Sequence, residues 1–143
     1  MKRYSDISQP VAGNMVTWPG RSPPAHTWEN RLQDGDHANA STWRMSAHTG
    51  THMDAPLHFI EGGRAIDQIP PAVYIGKCRV IDRSSAGDPA ISEEIARKFR
   101  GEQRLLVKTR HSDEILAGRY PAHGALLTPA AASILIEADL LLL

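Results

Sequence analysis

The sequence predicts a mixed α/β domain on three observations. Residues 73–82 (Val-Tyr-Ile-Gly-Lys-Cys-Arg-Val-Ile-Asp) alternate as a strand does. Thr128-Pro129 is a strong helix start, a capping hydroxyl ahead of a proline at the first helical position, and Ala130–Ala138 continue that helix. The apolar run Leu140–Leu143 then opens a buried strand, which completes a strand–helix–strand unit with parallel pairing.

The other elements follow in order. Residues 4–40 are rich in proline, glycine and polar groups, with short strands expected at 4–8 and 41–47. Residues 91–100 read as a helix: Ser92 is placed to cap, Glu93 and Glu94 favour its positive end, and Gly101 stops it. Leu105–Thr109 reads as a buried strand. Cys78 falls within the expected 73–82 strand and is read as a buried structural thiol.

Composition bounds the function. A chain of 143 residues, 41% of them apolar, suits a single domain spanning 1–143 with one core. A net charge of zero favours neither nucleic acid nor an anionic membrane. The apolar runs are too short to span a bilayer, and the Met1–Asp6 start lacks the apolar stretch of a signal peptide. One cysteine excludes an internal disulfide, so a cytoplasmic location is expected.

The chemistry is concentrated in His48-Thr-Gly-Thr-His52-Met-Asp54-Ala-Pro-Leu-His58-Phe59, where three histidines and one carboxylate fall within eleven residues. Two imidazoles and a carboxylate suit zinc, manganese or iron and leave coordination positions for water and substrate. A straight strand cannot gather them: at roughly 3.3 Å per residue, His48 and Asp54 would stand about 20 Å apart. A helix would stack His48 on His52 but point Asp54 away from both. The segment must therefore curl, and Gly50 and Pro56 supply the backbone freedom and restriction for a bent loop.

This segment resembles the signature of the metal-dependent hydrolases called the cyclase family, H-x-G-T-H-x-D-x-P-x-H-F, with every specified position present. Asp6-Ile7-Ser8-Gln9-Pro10, Thr17-Trp18-Pro19-Gly20 and Arg104-Leu105-Leu106-Val107-Lys108-Thr109 extend the likeness over essentially the whole chain. The resemblance implies a swivelling β/β/α-type domain and a divalent metal, zinc first and manganese next. It makes His48, His52 and Asp54 the metal ligands and His58 the proton shuttle. A fourth ligand, or a hydrogen-bonding partner for Asp54, is the other reading of His58. Trp18 takes the position of an aromatic-substrate contact, against the plainer reading of a packed indole. Where aryl formamide hydrolases of the family follow Trp-Pro-Gly with Asp and Thr, this chain has Arg21-Ser22.

The implied reaction is hydrolysis of an aryl formamide such as N-formyl-kynurenine to formate and the aromatic amine, by metal-activated water. Hydrolysis of a cyclic amide or lactone is the alternative within the family. A small aromatic amide is the implied partner, and a homo-oligomer the implied assembly. The family also continues beyond the point matching Leu143, through a later histidine and glutamate that complete a two-metal site. The expectation is thus a domain lacking its C-terminal third, and a catalytically incomplete remnant that binds metal weakly is a further alternative. His123 and Glu137 superficially echo the later pair, but the register from Thr128 to Leu143 matches the helix and strand that precede it. His26, His37 and His111 lie in polar, loop-like sequence and receive no role.

Overall fold

A computed structural model describes residues 6–87, 90–121 and 127–143. The chain divides into two units, residues 1–53 with 118–120 and residues 54–117 with 121–143.

The first unit is built on an antiparallel pair, β1 (Ala25–Asn30) and β2 (Ala40–Arg44). Thr27, Trp28, Thr42 and Trp43 are the β-branched and aromatic types that fit a pleated surface. His26 faces Trp43 in register, and its ring lies 4.8 Å from both the Trp28 and the Trp43 ring centroids. The connecting loop is tied by side chains. Asp36 accepts from the Arg31 N–H at 2.7 Å and Asn39 from the Leu32 N–H at 2.9 Å.

Two expectations change here. The strand placed at 41–47 ends at Arg44, and the Ser46 hydroxyl then accepts from the His48 N–H at 3.2 Å. Residues 6–8 form no strand, because the Asp6 carboxylate accepts the Ser8 N–H at 2.9 Å and turns the chain. Residues 4 and 5 lie outside the described residues. β1, within sequence read as loop, is an additional strand.

The second unit holds the core. β3 (Arg79–Asp82) and β4 (Leu105–Lys108) pair in parallel. α1 (Glu93–Lys98) packs against α3 (Pro129–Glu137). Ile81, Ile91, Ala96, Leu105, Ala131 and Leu135 are buried together, so the two helices cover one face of the strand pair. Leu142 bridges Arg104 in parallel, and the Leu105 N–H donates to the Leu142 carbonyl at 3.0 Å. The expected final strand is therefore present as a single parallel bridge beside β4.

The helix caps divide. The Thr128 hydroxyl accepts from the Ala131 N–H at 3.2 Å with Pro129 at the first helical position, as expected. Ser92 takes the capping position with an extended backbone, but its hydroxyl makes no capping bond. α1 is instead braced by Glu94–Lys98 at 2.9 Å and Glu93–Arg97 at 3.5 Å. α2 (His111–Leu116) was not expected.

The 73–82 strand is shortened to its last four residues, and the reason is local. Pro70 and Pro71 favour a 3-10 turn over Pro71–Val73, closed by the Val73 and Tyr74 N–H groups. Arg104, buried, then donates through Nε to the Val73 carbonyl at 2.8 Å and through Nη2 to the Ala72 carbonyl. A methyl group on Gly76 would stand 2.5 Å from the Arg104 Nη1 atom. Cys78 consequently precedes β3 and is exposed, which corrects the expectation of a buried thiol. Among the described residues no helix is long and apolar enough to cross a membrane.

Candidate metal centre

The segment from His48 onward curls as its spacing requires. Gly50 adopts φ +63, and a methyl group there would touch the Met15 side chain at 3.4 Å. Thr51 Oγ1 accepts from the Gln9 N–H at 2.9 Å, so the early 6–15 stretch braces the loop. The glycine is thus favoured by its backbone conformation, the Met15 methyl standing at about contact distance.

Two histidines are oriented by this curl. His52 Nδ1 lies 2.8 Å from the Gly50 carbonyl oxygen. A carbonyl only accepts, so Nδ1 donates to it. Nε2 lies 3.3 Å from His48 Nδ1, with the ring centroids 5.3 Å apart. An imidazole whose outer N–H is spent on a backbone carbonyl is the usual form of a metal-ligating histidine.

The chain then enters a 3-10 turn, Pro56–His58, with Pro56 at its start. His58 ends the turn, and its ring lies 4.1 Å from that of Phe59. Along this continuous segment, one ligand atom each from His48, Asp54 and His58 lies within 4.8 Å of the others. His52 stands beside His48 rather than within that group. A nitrogen–oxygen–nitrogen donor set is of the kind that can hold a divalent ion.

Trp18 sits in a turn closed by the Arg21 N–H on the Trp18 carbonyl at 2.9 Å, and the indole is 62% exposed. Its ring meets Tyr120 edge-on at 5.4 Å. Sequence reasoning missed Tyr120, which comes from a distant part of the chain and carries no motif. Glu137 is exposed at the end of α3. His26 belongs to the β1–β2 aromatic face and His111 begins α2, while His123 lies outside the described residues.

The Cyclase family model matches residues 5–143. Kynurenine formamidase of Bacillus cereus is 36% identical over 106 residues, which is 74% of this chain and 51% of that protein. The chain therefore spans about half the length of the curated relatives it matches. A solved structure described as a potential metal-dependent hydrolase with cyclase activity superimposes with a TM-score of 0.75 at 26% identity, over 95% of this chain and 63% of that one. Isatin hydrolase A from Labrenzia aggregata shares the fold with a TM-score of 0.73 at 24% identity, over 95% of this chain and 64% of that one. The mixed α/β arrangement agrees with these neighbours, and the chain belongs to the Cyclase family.

Proposed function

We propose that this protein is a metal-dependent hydrolase that cleaves an aryl formamide such as N-formyl-kynurenine to formate and the aromatic amine. The observation that carries the reading is the grouping of one ligand atom each from His48, Asp54 and His58 within 4.8 Å, with His52 Nε2 3.3 Å from His48 Nδ1. The similarity to kynurenine formamidase supports the substrate class.

In this reading His48, His52 and Asp54 hold the ion, zinc or manganese. When bound, a divalent ion polarises the substrate carbonyl and acidifies water toward neutrality. The remaining work falls to this chain. His58 takes a proton from the attacking water and delivers it to the leaving amine, a task suited to an imidazole whose ordinary pKa lies near 6.5. The exposed Trp18 indole offers a flat face on which an aryl ring can stack. A homo-oligomer is the expected assembly.

The test is formate release from N-formyl-kynurenine by the purified chain, with metal content measured in parallel. Release is expected to stop on addition of a chelator and to fall by about a hundredfold or more in His58→Ala. His58→Ala should retain the metal of the wild type. Activity that survives both treatments sinks the reading. Loss of metal in His58→Ala would instead make His58 a ligand, the alternative its place in the group of three favours. Turnover of a cyclic amide in place of the formamide would move the substrate class toward that of isatin hydrolase.

A further inference from the structure

The turn that carries His58 is closed by its own backbone. The Leu57 N–H donates to the Arg64 carbonyl at 3.1 Å, and the Gly63 N–H donates to the Ile60 carbonyl at 2.9 Å. The Ile60 N–H returns to the Pro56 carbonyl at 2.9 Å. Gly63 therefore lies against the back of the Pro56–His58 turn.

Space at this contact admits only glycine. A methyl group on Gly63 would lie 2.9 Å from the Ile60 oxygen, the Leu57 nitrogen and the Pro56 carbonyl carbon. All three are backbone atoms, two of them in the Pro56–His58 turn and the third in Ile60 just after it, so the backbone of the turn or its exit must move to relieve the clash. Gly63 is not among the glycines with positive φ, and its requirement is spatial rather than conformational. Gly62 is the reverse case. It has φ +71, and a methyl group there would meet nothing within 4 Å.

We propose that Gly63 is a positioning residue for His58. Its bare α-carbon lets the Arg64 end of the segment close onto the turn, and that closure sets where the imidazole stands. The catalytic consequence rests on the hydrolase reading above; the placement of the ring does not. Small displacements matter at such a site, because a shift of about 1 Å in a reacting group lowers rate by on the order of a hundredfold.

The experiment compares wild type, Gly63→Ala and Gly62→Ala as full chains. Histidine ring resonances are recorded by NMR on metal-free protein, with the His58 signal identified by its loss in His58→Ala. Turnover of N-formyl-kynurenine is measured on the zinc-loaded forms. In Gly63→Ala the His58 ring signals should move, and kcat should fall by about a hundredfold with KM changed less than twofold. Gly62→Ala, which strains the backbone without pushing the turn, should leave both readouts at wild-type values. The proposal is overturned if the His58 signals of Gly63→Ala superimpose on the wild type, or if Gly62→Ala moves them equally. A wild type that releases no formate removes the hydrolase reading, and the ring signals still decide the positioning role. Should Gly63→Ala fail to fold, amide exchange in the wild type decides. Slowed exchange at Leu57 and Gly63 supports the closed turn, and exchange at the unprotected rate removes it.

Discussion

Asp82 closes β3 with a carboxylate that three donors reach. The Ser84 hydroxyl donates to it at 2.6 Å, the Ser84 N–H at 2.9 Å, and the Lys108 ammonium at 3.0 Å. The Ser84 hydroxyl foremost, then its N–H and Lys108, hold the Asp82 pKa far below the usual carboxylate range. A depressed folded pKa adds stability above the unfolded value, and that stability is lost as pH falls through the folded one. Asp82→Asn should therefore lower Tm at pH 7, and the gap to wild type should narrow steadily below about pH 4. Thermal melts across that range check it; a gap that widens in acid contradicts the assignment. At this scale the sequence was informative where residues sit close along the chain. His48, His52, Asp54 and His58 stand out by spacing alone. Tyr120 against Trp18 could not be seen, since a long-range ring contact leaves no local pattern.

Elements were legible where a single local interaction decides them. α3 starts where Thr128 and Pro129 dictate, because the capping bond and the proline both act within the first turn. Thr128→Ala should lower stability by about 1 kcal/mol, measured by urea unfolding, and Thr128→Ser should restore most of it. Elements were misread where tertiary contacts intervene. The alternation of residues 73–78 is that of a strand, yet Pro70 and Pro71 set a turn and the Arg104 guanidinium takes the carbonyls a strand would need. The same contact places Cys78 outside β3. α2 is a helix of six residues, too short to show a periodic apolar face.

Across the whole molecule, the buried apolar residues named for the core all lie in the second unit. Among the described residues Leu135 is its largest fully buried side chain, at 1% exposure. Leu135→Ala should cost about 2–5 kcal/mol, read as a shift in the denaturant midpoint; a change under 0.5 kcal/mol would contradict that core. The β1–β2 pair has little buried surface of its own, since its strands are almost entirely exposed. The α/β class was legible at this scale because a parallel pair with an intervening helix writes its apolar runs plainly. The division into two units was not, because no Pro- or Gly-rich linker marks Met53–Asp54.

Arg104 and Gly76 carry a consequence for how this sequence can change over time. The guanidinium occupies the space where a side chain at position 76 would begin. Substitution at 76 is therefore obstructed while Arg104 holds the Ala72 and Val73 carbonyls. Once position 104 carries a shorter side chain, position 76 opens to alanine or serine. The two sites are thus coupled in drift: a side chain gained at 76 makes the Arg104 guanidinium shift from its carbonyl partners, unless position 104 has already shortened.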